Sequence, residues 1–328
     1  MTIMPVLAFF VSLVVTVVTG VLLVPALQRV NAGQSIREDG PVWHNYKQGT
    51  PTMGGVMFIT GVTATCLTVG FGEMLNGEFR HIFILSFALL CGAIGFEDDR
   101  RKLINKRNLG LRGRHKLILQ LIAAAFFVFL MRSTGSLSTN VYFPFLNVYL
   151  RLPEPVYYIF AIFAAAGTVN GVNLTDGADG LATGVTIPVA SCFAAISVMW
   201  GFTSLGIFSL ALCGGLISFL IFNFHPAKVF MGDTGAGFIG GAVCAMAFAC
   251  DMPLILIPLG IIYFVETLSD IIQVTYFKLS HGKRIFKMAP LHHHLELCGW
   301  SERKLFTVFT SVSVVFAVIS FYAAWLRN

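Results

Sequence analysis

IFILSFALLCGAIGFEDDRRK, residues 82–102, is an apolar run that stops abruptly at three acids and three bases. With its flanks the run suits a membrane-crossing helix, which needs about 20 residues. Acids at the end of such a span are costly unless they face protein, water or a metal. Arginines and lysines there set topology and touch anionic headgroups. Asp98 and Asp99 have no place in such a signal, so they point to chemistry.

The rest of the chain is of the same kind. Of its 328 residues 56% are hydrophobic and 12% charged, where soluble domains carry about 25% charged residues. This predicts an all-α, polytopic integral membrane protein, one domain over 1–328. The first apolar run, 3–27, is too long for a signal peptide and lacks a preceding base, so it is expected to remain as a span. Six of the seven cysteines lie in apolar segments, with only Cys298 in a polar loop. The odd count and the lack of a CxxC pair favour buried small side chains over disulfides.

Hydropathy predicts about ten transmembrane helices, at 3–27, 53–71, 82–96, 117–131, 156–172, 181–200, 205–222, 235–250, 254–277 and 305–325. Residues 133–153, with Pro144, form a small hairpin outside the bilayer. An even count puts both termini on one side. The net charge of +6 does not signal nucleic acid, because the bases cluster in loops between spans. All but four of the 22 lysines and arginines fall in one set of loops, and Arg80, Arg132, Arg151 and Arg327 in the other. That asymmetry assigns the first set to the cytoplasm and both termini to the outside. Asp98, Asp99, Asp176, Asp179, Asp233 and His292–His294 then share the cytoplasmic side, although they come from four loops. One convergent site, an active-site cleft on that face, is expected.

Four constellations carry the chemistry. In the first, Asp98, Lys102 and Lys106 recur at i, i+4, i+8 and share a helix face. Asp99 points about 100° away, so the two carboxylates take different roles, one as base or metal contact and one orienting a lysine. Lysines suit phosphate oxygens as point charges. In the second, Asn170, Asn173, Asp176 and Asp179 recur every third residue among glycines. A regular helix would rotate such a row by about 60° per step; unwinding at the glycines would aim the groups into one cavity. The spacing does not fit a calcium loop.

The third, Asn223 to Gly235, ends at the start of a span, where free N–H groups and the helix dipole favour an anion. Asp233 there would repel a bare phosphate but hold one through Mg²⁺, which commonly uses one or two carboxylates plus phosphate oxygens. A simple helix cap by Asp233 or Thr234 leaves Lys228, Phe230 and the glycines unexplained. The fourth, Gly282 to His294, ends in three consecutive histidines. Adjacent side chains diverge, so zinc is disfavoured, and donors to phosphate or a local base are expected.

These four blocks, in this order and over the whole chain, closely resemble the polyprenyl-phosphate N-acetylhexosamine-1-phosphate transferases. Two stretches are similar to the branch that uses a muramoyl-pentapeptide nucleotide. One runs Ser35, Arg37, Gly40, Pro41, His44, Lys47 and then 49–55, GTPTMGG; the other is FKMAPLHHHLE, 286–296. The resemblance implies a ten-span enzyme of the bacterial cytoplasmic membrane, Mg²⁺ dependence, and a structure that allows a homodimer. The implied substrates are UDP-MurNAc-pentapeptide and undecaprenyl phosphate, and the products lipid I and UMP. It makes Asp233 the metal ligand and Asp98 the base for the lipid phosphate, with Asp99 beside it. Lys102 and Lys106 would hold phosphates. Lys47, Thr52, Asn173, Asp176, Gly177, Asp179 and Phe230 would line the nucleotide-sugar pocket, with Asn223 among the substrate contacts. Gln273, His292 and His293 would close the pocket, His292 counting with the catalytic groups. Three positions depart from the family pattern: Ala178, Ala236 and Asp270, an acid within a span that needs a partner. Ion-coupled transport also uses intramembrane acids and broken helices. It predicts mid-membrane charges and inverted repeats, neither of which the sequence displays.

Overall fold

The computed structural model describes residues 3–29, 49–105 and 110–327. Its helices are α1 (Met4–Arg29), α2 (Val56–Thr68), α3 (Phe71–Leu75), α4 (Arg80–Asn105) and α5 (Gly113–Ser133). A hairpin of β1 (Asn140–Phe143) and β2 (Val148–Arg151) follows, then α6 (Glu154–Thr175), α7 (Leu181–Trp200), α8 (Thr203–Asn223) and α9 (Gly232–Ala249). Last come a 3₁₀ turn at Pro253–Ile255, α10 (Leu256–Leu259), α11 (Ile261–Leu279), α12 (Leu291–Glu296) and α13 (Glu302–Trp325). The hairpin is antiparallel, with Asn140 opposite Arg151, and lies where the polar 133–153 segment predicts it.

Every expected span has a helix at its place. Among the described residues seven helices are long and apolar enough to cross a membrane, and an eighth if α10 and α11 form one broken span. This makes the chain a multi-pass membrane protein. Two expected spans are less simple. Helix α2 has 13 residues, about 20 Å of helix, short of the roughly 30 Å hydrocarbon core. Helix α9 is enclosed by the others, with every residue from Thr234 to Ala249 buried. The single span expected over 254–277 is corrected: the chain bends by 81° between the 253–259 segment and α11. Pro258 cannot donate a backbone hydrogen bond, and Gly260 closes one helix on the Leu256 carbonyl while accepting the first bond of the next from Phe264.

Helices α7, α8 and α9 form the buried centre. Helices α1, α5, α6 and α13 leave rows of large apolar side chains exposed, among them Phe10, Phe126, Phe163 and Val318. In water such rows would be a liability; facing lipid they are the expected surface. Helices α4 and α9 pack antiparallel through small residues. A Cβ at Gly95 would overlap the Asp233 carbonyl, and one at Gly237 would lie 2.6 Å from the Cys91 carbonyl. Close backbone approach of this kind is how helices associate in lipid. Here it also sets the end of α4 against the start of α9.

Candidate active site

The α4–α9 contact builds the centre of the site. Asp99, 3% exposed, accepts hydrogen bonds from the N–H groups of Asp233 (3.1 Å) and Thr234 (2.9 Å) and from Thr234 Oγ1 (2.7 Å). The first N–H groups of a helix have no acceptor within it, and a carboxylate there is favoured by the helix dipole. Helix α9 is thus capped by a side chain from α4. This corrects the expectation that the start of α9 offers its N–H groups to a substrate anion: Asp99 already occupies those of Asp233 and Thr234.

Asp98 faces a different set of partners. It accepts from the Leu111 N–H, and Lys102 Nζ lies 2.7 Å and Lys116 Nζ 3.8 Å from its Oδ2. Lys102 also pairs with Asp233, whose other oxygen takes Lys116 at 3.1 Å and the Asn173 amide. Lys102 thus bridges the carboxylates of Asp98 and Asp233. The adjacent aspartates meet different partners, as their angular separation predicts: Asp98 faces the lysines and Asp99 caps a helix. The result is two carboxylates, two ammonium groups and one amide at the meeting of α4, α5, α6 and α9. Two adjoining hard oxygen donors already bridged by a cation could hold a divalent metal ion.

Asn170 does not join Asn173 at one cavity, which corrects that part of the expectation. Helix α6 remains regular through Thr175, and Gly171 packs on Tyr263 of α11 instead of loosening the chain. Asn170 and Asn173 therefore face different helices. Asn170 donates to Gln120 of α5 at 2.9 Å, while Asn173 meets Asp233. Asp176 ends the helix, and the chain turns at Gly180 with φ +71.

Asp179, beyond the helix, accepts from the Ala227 N–H at 3.0 Å and lies 3.0 Å from His225 Nδ1. Its own N–H donates to Glu302 at the start of α13 (2.9 Å). Ligand atoms of Asp179, His225 and Glu302 lie within 4.8 Å of one another. These contacts join α13 to the turn after α6 and to the 224–231 loop.

Gly177 connects this turn to the histidines, since a Cβ there would overlap His292 Nε2. His292 is 1% exposed, and Glu266, fully buried in α11, holds its Nδ1 at 2.9 Å. His293 turns instead to Glu296 (2.8 Å), and His294 accepts from the Lys287 N–H (3.1 Å). The three rings take separate hydrogen-bond partners, although those of His292 and His293 touch, with centroids 4.1 Å apart.

The remaining expected residues hold loops in place. Gln273 accepts from the N–H groups of Ile285 (3.1 Å) and Phe286 (3.0 Å). Asn223 accepts from Thr183 (2.9 Å) and donates to the Val229 carbonyl (3.0 Å), so both ends of its buried amide are engaged inside the protein. Phe230 and Met231 accept backbone hydrogen bonds from Gly54 and Gly55, and Phe230 donates to Pro51. This brings Thr52 against Gly232 beside Asp99. Lys47 and Lys106 lie outside the described residues, as does the 35–44 part of the first motif.

Three residues of the site had no role from sequence: His225, Glu266 and Glu302. Glu266 had a visible signal, an acid in the middle of an apolar span. Asp270, singled out on that ground, has no hydrogen bond or ion pair among the described residues.

A membrane bundle with carboxylates and lysines gathered at one end defines a class, and comparison with known proteins gives it a name. The family model "Glycosyl transferase family 4" matches residues 81–251. The "Phospho-N-acetylmuramoyl-pentapeptide-transferase signature 1" matches 47–59. Proteins named phospho-N-acetylmuramoyl-pentapeptide-transferase are similar along nearly their full length. That of Clostridium botulinum (strain Alaska E43 / Type E3) is 46% identical over 94% of this chain and 93% of its own. That of Caldanaerobacter subterraneus subsp. tengcongensis is 46% identical over 96% and 97%. That of Geobacillus thermodenitrificans is 42% identical over 97% of each. The chain belongs to the phospho-N-acetylmuramoyl-pentapeptide-transferase family, within glycosyl transferase family 4.

Proposed function

We propose that the chain transfers phospho-MurNAc-pentapeptide from UDP-MurNAc-pentapeptide to undecaprenyl phosphate. An oxygen of the lipid phosphate forms a new bond to the sugar-side phosphorus. The bond from that phosphorus to the bridging oxygen breaks, and UMP leaves with its electron pair. The products are UMP and lipid I, a pyrophosphate-linked precursor of peptidoglycan. The observation that carries this is the grouping of Asp98, Asp233, Lys102, Lys116 and Asn173, in a chain of this family.

The physical obstacle is the approach of two anions. Mg²⁺, held by Asp233 with Asp98 beside it, would supply charge neutralisation at the pyrophosphate. Lys102 and Lys116, joined by Lys106, bind the phosphate oxygens and oppose the repulsion as the two substrates meet. Asp98 serves as base for the lipid phosphate. Thr52, Asn173, Asp176, Gly177, Asp179 and Phe230, with Lys47, line the nucleotide-sugar pocket. Glu266 fixes which face of His292 meets that pocket. Ten spans, a cytoplasmic site and external termini complete the proposal, in a bacterial cytoplasmic membrane.

The test is UMP release by the purified protein given both substrates. Release should require the lipid phosphate and Mg²⁺, and should stop on chelation. Asp233→Asn should fold and lose turnover at ordinary Mg²⁺. Unchanged metal dependence in that variant would remove Asp233 from the metal role. Preference for UDP-N-acetylglucosamine as donor would assign the chain to another branch of the superfamily.

A further inference from the structure

Arg80 and Asp98 stand near opposite ends of α4, about 27 Å apart along its axis. At the Arg80 end lies a cavity of about 340 Å³. It is lined by the ends of α7, α9 and α13, the start of α4, and the loop that leads into β1. None of the carboxylates or lysines of the transfer site reaches it.

The charges that line this cavity do not cancel. Asp251 accepts from Ser138 N (3.1 Å) and Oγ (2.7 Å) and lies 3.7 Å from Arg327. Arg327 further donates to the carbonyls of Cys250 and Asp251, each at 2.9 Å. These two residues satisfy each other and bind the chain end to the α9–α10 connection. Arg80 remains. Its guanidinium lies 4.0 Å over the Phe202 ring, and among the described residues no carboxylate or hydrogen-bond acceptor meets it. Stacking on an aromatic face leaves the N–H groups in the ring plane of the guanidinium unused. Five donors in a rigid fork, half-buried in a concavity, are suited to a phosphate or carboxylate.

The other bases on this end are differently used. Arg132 donates to the Leu137 carbonyl (2.6 Å) and pairs with Glu154 (3.2 Å), and Arg151 is exposed on the hairpin. The cavity sits where several spanning helices end, with Trp200 on its rim. That is the depth of lipid headgroups, where such aromatics collect. The anion supplied at that depth is the phosphodiester of an anionic phospholipid.

We propose that Arg80, in the cavity between the ends of α4, α7, α9 and α13, holds the phosphate of one anionic phospholipid headgroup. The site is separate from the transfer centre. The test is native mass spectrometry of the full chain released from mixed micelles of phosphatidylglycerol and phosphatidylcholine. The wild type should retain one phosphatidylglycerol in preference to phosphatidylcholine. Arg80→Gln should lower that occupancy about tenfold, the effect of one charged hydrogen-bonding group, and still release UMP at the wild-type rate. Arg151→Gln, on the same end but outside the cavity, should retain the lipid. Equal retention of the two lipids by the wild type would overturn the proposal without recourse to any variant. So would matching occupancy in the two variants. Displacement of the bound phosphatidylglycerol by millimolar inorganic phosphate, with no lipid preference left, would make the ligand free phosphate and overturn the lipid assignment.

Discussion

Two adjacent aspartates show how one helical step separates functions. Asp98 looks into the charged centre, and Asp99 into the first turn of α9. Asp98→Asn should lower the maximal rate by about 10²–10⁴-fold, the usual worth of a positioned base. Binding of the nucleotide-sugar should persist, because the pocket residues are untouched. Steady-state rates and a separate binding titration check this, and near-normal turnover would end the base assignment. Asp99→Asn removes a charged acceptor from three donors. It should lower Tm, with a loss of about 0.5–2 kcal/mol typical of a helix cap, and should reduce the rate indirectly because Asp233 is the second residue of α9. Equal thermal stability of the two variants would contradict the cap. Glu266→Gln tests the support of His292. The amide preserves shape and one acceptor but removes the charge facing Nδ1, so turnover should fall while thermal unfolding shifts little. An unchanged rate would show that the orientation of His292 does not matter to transfer.

Helices meet at this site because glycines let them. At Gly95 an added methyl would overlap the Asp233 carbonyl, which is backbone and cannot swing aside. Gly95→Ala should therefore destabilise the protein and displace Asp233, lowering Tm and UMP release together. Gly72→Ala, in α3 with open space around its Cβ position, is the matched control and should change neither. Similar behaviour of the two would mean that the α4–α9 contact does not set the site. Most elements of this kind were legible in the sequence, since a bilayer demands long apolar runs and the hairpin between them is polar. The break at Gly260 was not, because Pro258 and Gly260 interrupt hydrogen bonding without interrupting hydropathy. Asp98, Asp233 and Asn173 were legible as charged or polar groups at span ends. The failed convergence of Asn170 with Asn173 was not, because whether a glycine unwinds a helix depends on what packs against it, here Tyr263. Glu266 and Asp270 were indistinguishable by composition. Only the fold puts His292 opposite the first.

At the scale of the whole molecule, the ends of the helices sort the polar residues into two layers. Asp98, Asp233, Asn173 and His292 belong to one layer; the hairpin, Asp251 and Arg327 belong to the other. The excess of lysine and arginine accompanies the first layer, so the positive-inside rule predicts that it faces the cytoplasm. Single cysteines would test this directly. Of the native cysteines only Cys298 is exposed, so Cys298→Ser gives a background with buried thiols. In it, Arg114→Cys occupies an exposed position at the start of α5, and Leu146→Cys the 70% exposed tip of the hairpin. An impermeant maleimide added to intact cells should label the hairpin cysteine alone. The cysteine at 114 should react only once the membrane is opened. The expectation rests on two independent features, the charge asymmetry and the need of the transfer site for a nucleotide-sugar. Labelling of 114 from outside would overturn the assigned orientation and leave the site facing away from its nucleotide substrate. Labelling of both from outside would mean that α5, the one helix between them, does not cross the bilayer.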